Sequence, residues 1–294
     1  MLIASLAGQR LDAAEATKGQ DYRCPQCDSA LILKKGRIIV AHFAHKPPTV
    51  CEWGVGETLA HLLGKRLLYD AFTKQGMPAA IEYPVATLPG DRRADVMAWP
   101  LVTGGRGGVA FELQHSTISL DEIERRAFSY ASAGIAQIWI PFLSAKHWAD
   151  AERVGIDRFR LRYAPRLFER WIHGLNRSRG MWMFDPPRRS FWHGHLSGYQ
   201  LWVEERQWFD EYGQEHYGGG YHRWSYRWRN LSLTGPFNAD QLEIDIELRR
   251  DFQAEQYRWP AGLVAHLRLK REYAYTPPRG VADLFPARTA PTDL

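Results

Sequence analysis

The chain has 294 residues, with 38 Lys and Arg against 33 Asp and Glu, so it carries a formal charge of +5 and has length for one elaborate domain or two ordinary ones. That mild basicity permits a polyanionic partner without requiring one, and no run reaches the ~18 uncharged apolar residues of a membrane-spanning helix, which excludes a membrane partner of that kind. The N-terminal apolar run is too short for a secretory signal, giving a cytoplasmic expectation, and three cysteines clustered between positions 24 and 51 do not make a disulfide framework.

Residues 1–20 read as a strand and turn, followed by a Cys- and His-rich segment from Tyr22 to Trp53. "CPQC" puts Cys24 and Cys27 on a tight turn, "HFAH" supplies His42 and His45, and Cys51 follows. Zinc takes four nitrogen or sulfur ligands in a tetrahedron, usually as two short-spaced pairs. Five candidates are one too many. Cys24 and Cys27 form the firmest pair, His45 with Cys51 is the favoured second, and His42 stands as the alternative ligand. Such a closed site is structural and stabilises a small flap without doing chemistry. Unrelated reduced cysteines and surface histidines are the plain alternative.

A helix is expected over 56–75, where Leu59, Leu62, Leu63, Leu67 and Ala71 recur at helical spacing. "AAIEYPVATL" and "RRADVMAW" read as strands separated by the turn signal Pro89-Gly90-Asp91. After the loop "PLVTGGRGG" comes the strand "GVAFELQHS", then a helix in which Ser119 can cap with Glu122 three residues on and Gly134 can end the run. "AQIWIPFL" closes the unit as a buried strand. The order is helix, three strands, helix, strand.

From about Lys146 the composition shifts, and eight of the 12 tryptophans lie from Trp171 onward. "WSYRWRN" and "HYGGGYHRW" interleave aromatics with Arg and His, residue types that stack on bases and contact phosphates. "LWVEERQWFDEY" adds acids that would repel such a partner, so a binding domain and an ordinary Trp-built core are equally weighted. "FNADQLEIDIELRRDF" fits strand or helix, and the last residues read as a proline-rich tail.

Glu112 and Gln114 share one strand face because side chains repeat with period two, and Asp95 lies on the preceding strand. If those strands pair, Asp95 and Glu112 converge as a hard-oxygen site for Mg²⁺ or Mn²⁺, with the Leu113 carbonyl as a further ligand. Taken alone, an acid and an amide on a half-solvated strand are unremarkable. Glu57, His61 and Lys65 step by four along the first helix and form one polar stripe, for which a solvated face is the plain alternative.

These residues in this order resemble the PD-(D/E)xK nuclease fold. More narrowly, "CPQC", "HFAH", "GETLAHLLGKRLL", "RRADV", "FELQHS" and "WIP" together resemble the competence protein CoiA-like nuclease family over about residues 20–143. The resemblance implies an α/β, PD-(D/E)xK nuclease-like core over 56–145 behind a zinc-knuckle region at 1–55; composition adds the expectation of a Trp-rich accessory domain at 146–275 and a flexible tail at 276–294. It further implies that Glu57 joins the metal site, with His61 on metal or phosphate and Lys65 on the DNA backbone. Arg126 and Tyr130 resemble the Gln-x-x-x-Tyr element of RecB-like members, with Arg126 in place of glutamine. Gln114 stands where many superfamily members have lysine; it can still orient water but brings no charge.

The expectation is a DNA nuclease acting in transformation, recombination or defence, with Glu57, Asp95 and Glu112 holding the ion and Gln114 the attacking water. A catalytically inactive DNA-binding module, or a protein recruiting recombination partners, is the alternative.

Overall fold

In a computed structural model of the chain, residues 1–48, 51, 53, 57–88, 90–100, 107–177, 179–250, 252–254 and 256–273 are described. The expected tail at 276–294, Gly56, Pro89 of the expected turn and most of the loop after Pro100 lie outside those residues; the helix expected from Gly56 begins later, at Leu59. No helix among the described residues is long and apolar enough to cross a membrane.

The N-terminal part is an antiparallel sheet of β1 (Ile3–Leu6), β2 (Gln9–Asp12), β3 (Tyr22–Arg23), β4 (Ala30–Lys34) and β5 (His42–His45), in the order β2-β1-β3-β4-β5. Ala7 and Gly8 link β1 to β2 with φ of 50° and 80°, the left-handed pair that a two-residue hairpin turn requires. Tyr22 packs on Phe43 at 4.8 Å between ring centroids beneath this small sheet.

The central unit has the expected order: α1 (Leu59–Lys74), β6 (Ala79–Val85), β7 (Arg92–Ala98), β8 (Val109–Gln114), α2 (Leu120–Ser132) and β9 (Ala136–Pro141). Strands β6 to β9 form one sheet in sequence order, with β8 antiparallel to β7 and parallel to β9. The parallel step is what the crossover through α2 supplies. Thr58 caps α1 by accepting from the His61 amide at 3.2 Å, and Ser119 caps α2 by accepting from the Glu122 amide at 3.2 Å, as its spacing predicts. The stripe expected on α1 is rotated: Leu62, Leu68, Ala71 and Phe72 are buried, while Leu59 is half exposed. Gly64 lies where α1 crosses the sheet, and a Cβ there would overlap Leu113 and Phe184. That close approach sets the next residue, Lys65, into the interior.

Residues 145–273 are mostly strand. After α3 (Ala145–Ala149) come β10 (Glu152–Arg153), β11 (Arg158–Tyr163), α4 (Leu167–Leu175), β12 (Met181–Asp185), β13 (Ser190–Val203), β14 (Arg206–Phe209), β15 (Glu215–Gly218) and β16 (Tyr221–Phe237). The sheet order is β10-β11-β16-β13-β12, with β14 and β15 paired at the far end of the long β13–β16 ribbon. The acid-alternating segment is strand β17 (Leu242–Arg249), followed by β18 (Phe252–Ala254), β19 (Tyr257–Trp259) and β20 (Gly262–Leu269), the last paired with β17.

The largest hydrophobic cluster joins Phe72 of α1, Phe111 of β8 and Ile138 of β9 to Phe184, Phe191, Leu242 and Leu267. A second joins Ile123 and Trp139 to Trp171, Trp192 and Trp259. Both cross residue 145. The Leu143 amide donates to the Phe184 carbonyl at 2.7 Å, fastening one sheet to the other. Composition alone leaves the tryptophans undecided, and they divide: Trp171, Trp182, Trp192 and Trp259 are core, whereas Trp202, Trp208 and Trp224 are at least half exposed on the ribbon.

Candidate functional site

Two constellations stand out, one of sulfur and nitrogen and one of oxygen. In the first, ligand atoms of Cys24, Cys27, His45 and Cys51 all lie within 4.8 Å of one another. Cys24 Sγ is 3.9 Å from Cys51 Sγ, and Cys27 Sγ is 3.4 Å from His45 Nε2. Bonds of ~2.3 Å to sulfur and ~2.0 Å to nitrogen about a tetrahedral ion imply separations near ~3.8 and ~3.6 Å, so the four can hold a metal such as zinc. His42 is three residues from His45 on β5, so alternation puts it on the other face. Its Nδ1 meets the Val40 carbonyl at 2.8 Å, and it is outside the cluster. Burial pushes the Cys24 thiol up to about 11, while hydrogen bonding with Ser29 brings the exposed Cys27 thiol down to about 6.

The second constellation lines a cavity of about 480 Å³ over the ends of β7 and β8. Pairing of Val96 with Phe111 brings β7 beside β8, so Asp95 and Glu112 reach the same cavity. Asp95 Oδ2 accepts from the Leu113 amide and meets His61 Nε2, both at 2.9 Å. Burial would raise the Asp95 carboxyl, but neighbouring His61 and Lys65 and the Leu113 amide outweigh it and hold it well below the usual carboxylate range. Glu112 goes the other way. Burial first, then the charge of Asp95, push it up to about 7 against the pull of Arg126 and Tyr130. Tyr130 donates to Glu112 Oε1 at 2.5 Å, and Arg126 lies 3.5 Å from Oε2 while its Nε holds Glu122.

Glu57 is in the same cavity, ion-paired to Lys65 and 2.6 Å from the Met1 amino group. His61 Nδ1 lies 3.6 Å from it. Gln114 lines the rim, with its amide donating to the Ser116 carbonyl at 2.7 Å. Leu113 meets the site through its amide.

Lys65 departs from its expected place on a DNA backbone. It is wholly buried, with Nζ 2.9 Å from Glu82 Oε1 and 3.3 Å from Asp95 Oδ1 and with Glu57 as third partner. Burial opposes its charge, but Glu82, Asp95 and Glu57 outweigh that and hold the ammonium above its ordinary range. The cause is the close crossing at Gly64: the polar stripe of α1 faces the sheet end, not solvent.

Sequence reasoning misses three groups. Glu82, buried beneath Lys65, accepts from the amides of Leu2 and Ile3 at 3.0 and 3.2 Å, and its φ of 51° is strained for a residue with a Cβ. Nothing in "AAIEYPV" separates it from a solvated strand glutamate. Arg92 and Arg93 line the cavity beside Asp95, Arg93 stacking on Trp53 at 4.3 Å. The doubled arginine of "RRADV" is the signal that could have found them.

A family model described as the competence protein CoiA nuclease-like domain matches residues 57–201, and one described as its N-terminal domain matches residues 6–54. Competence protein CoiA of Bacillus subtilis (strain 168) is 32% identical over 124 residues, 42% of this chain and 32% of that protein. The chain thus matches about a third of that relative's length. No solved structure matches this chain.

Proposed function

This chain belongs to the CoiA-like family, and from that premise we propose that it is a metal-dependent nuclease that hydrolyses phosphodiester bonds of DNA. One observation carries the reading: two buried carboxylates, Asp95 and Glu112, share an open cavity with arginines 92, 93 and 126. Acids alone would repel a polyanion, and arginines alone would only bind it. In this reading α1, β6 to β9 and α2 form a PD-(D/E)xK-like core.

The donor set fits a hard divalent cation. Glu112, kept up at about 7 by burial and by Asp95, is a carboxylate that lacks full charge compensation. Asp95 and Glu112, with Glu57 as third acid, would hold Mg²⁺ or Mn²⁺, which supplies Lewis acidity to a bound water and to the phosphoryl oxygen. The chain's own residues do the rest. Tyr130 fixes the Glu112 carboxylate, and His61 and the Leu113 amide fix that of Asp95. Arg92, Arg93 and Arg126 take the phosphate. Gln114, released from Ser116, orients the water by its side-chain amide. The four-ligand cluster of Cys24, Cys27, His45 and Cys51 takes structural zinc.

The substrate is DNA in transformation, recombination or defence, in the cytoplasm, with recombination proteins as candidate partners. One observation favours a second reading, a DNA-binding module without catalysis: Gln114 is neutral, and Lys65 is buried and so cannot replace the missing cation. The test incubates purified protein with linear, nicked and single-stranded DNA plus Mg²⁺ or Mn²⁺, beside Asp95→Ala and Glu112→Ala at equal folded yield. Cleavage abolished in both variants supports the nuclease. A wild type that binds DNA but never cuts it supports the binding module.

A further inference from the structure

A second cavity, of about 380 Å³, opens beside the first, and His115 lines both. Its wall is built from the segment after β9, from β11 and from an irregular stretch of β16. Gly198 pairs with Arg229 and Gln200 with Trp224, so residues 225 to 228 stand opposite Tyr199 alone. A β-bulge of this kind re-aims side chains, at the expense of ladder hydrogen bonds. Here two guanidinia satisfy the freed carbonyls. Arg170 donates to Tyr226 and Arg227 at 3.1 Å each, and Arg229 donates to Ser225, to Tyr226 at 3.3 Å and to Trp228 at 3.0 Å.

The bulge presents Trp228 with two guanidinia against it, Arg162 at 4.6 Å and Arg227 at 4.9 Å from the ring centroid. Unlike Arg166, which Glu169 holds at 2.6 Å, neither makes an ion pair among the described residues, and nor does exposed Lys146 on the same wall. Asp150 is the acid on that wall. A guanidinium lying on an indole keeps its N–H edge for a phosphate and its outer face for a base. Bases become available to stack only when they are unpaired.

We propose that the Arg162–Trp228–Arg227 stack is a single-strand subsite of the hydrolytic cavity. It binds an unpaired nucleotide, the phosphate on Arg162, Arg227 and Lys146 and the base against the stack, and hands the strand past His115. The inference rests on the nuclease reading for its placement and narrows the substrate to single-stranded or frayed DNA. An acidic protein segment would use the charges but not the stacking surface.

The experiment uses the full chain without added Mg²⁺ or Mn²⁺ and reads fluorescence anisotropy at one fixed salt concentration. The probes are an oligothymidylate, an abasic oligonucleotide of equal length, a blunt duplex and polyglutamate. Arg162→Ala/Arg227→Ala, at two exposed positions away from the core, is expected to weaken oligothymidylate binding ~10-fold or more, and Trp228→Leu to erase the preference for oligothymidylate over the abasic strand. Binding of oligothymidylate within ~2-fold of wild type in the double variant overturns the proposal. So does equal binding of polyglutamate or duplex by the wild type. A wild type that binds oligothymidylate at this cleft yet cuts no DNA with either metal leaves the subsite standing and removes the nuclease. Metal-dependent cutting with unchanged binding in the double variant does the reverse.

Discussion

Replacing Lys65 by methionine keeps most of the aliphatic stem and deletes one charge from a cluster of three acids. Glu82 and Lys65 are both fully buried and 2.9 Å apart, and Asp95 is 3.3 Å away. Removing one partner of a buried pair costs ~3–5 kcal/mol, because the other charge is left without compensation. The upper end applies here, since three acids lose the same cation and Glu82 keeps the Leu2 and Ile3 amides as its hydrogen-bond donors. The sign with pH follows from Glu82. Burial raises its carboxyl, but Lys65 first and other cations after it outweigh that and bring it from 4.5 to about 2. In the wild type the contribution is complete above pH 4.5 and is lost as pH falls toward 2. In Lys65→Met the largest charge opposing burial is gone, so the Glu82 carboxyl rises from about 2 and less of that contribution survives. The gap from wild type is therefore full near about pH 7 and narrows as pH falls toward about 3. Urea unfolding at both values measures it. A loss under ~1 kcal/mol at the higher pH refutes the argument, as does a Lys65→Met/Glu82→Gln double variant no more stable than the single one.

Protein purified without chelator is expected to carry ~1 zinc per chain by elemental analysis, lost in Cys24→Ser and retained in His42→Ala. Metal loss in His42→Ala would mean that the ligand set is misassigned. Tyr130→Phe removes a hydrogen bond that lowers Glu112, so the acid limb of metal-dependent cleavage should move upward from about 7 at subsaturating Mg²⁺; an unmoved limb would sever Tyr130 from the site. His173, whose Nε2 accepts from the Leu196 amide at 3.3 Å, is pushed down to about 4, first by burial and then by His195 and His193. Its neutral form supports folding fully above 6.5, and up to ~3 kcal/mol is lost as pH falls to about 4; an imidazole NMR titration with its midpoint near 6.5 would contradict this.

Much of the molecule is legible where the signal is local. Cys24 and Cys27 flank two residues of one turn, Ser119 caps the helix it precedes, and the helix and strand order follows from period and turn residues. What escapes depends on contacts far along the chain. Glu82 is an acceptor for amides about 80 residues earlier and for a lysine on another element, so its own strand carries no sign of burial. Lys65 shares a helical stripe with His61, whereas Glu57, expected on the same helix, precedes the Thr58 cap and lies outside α1; the direction of the stripe is set by Gly64 meeting Leu113 and Phe184. Tryptophan content does not distinguish the core rings from those of the ribbon, since burial there depends on which sheet face each register assigns.

The fastening of Leu143 to Phe184, and a core that runs from Leu68 to Leu267, has a consequence for how this chain can be inherited or shortened. Ending a clone after residue 145 would strip Phe184, Phe191, Leu242 and Leu267 from the apolar face of β8 and β9, leaving α1 alone to cover that face and the rest of it open to water. The carboxylate-bearing strands therefore cannot be exchanged between genes as an independent cassette. Insertions that lengthen the β13–β16 ribbon beyond Val203 are tolerable, because that end lies outside both clusters.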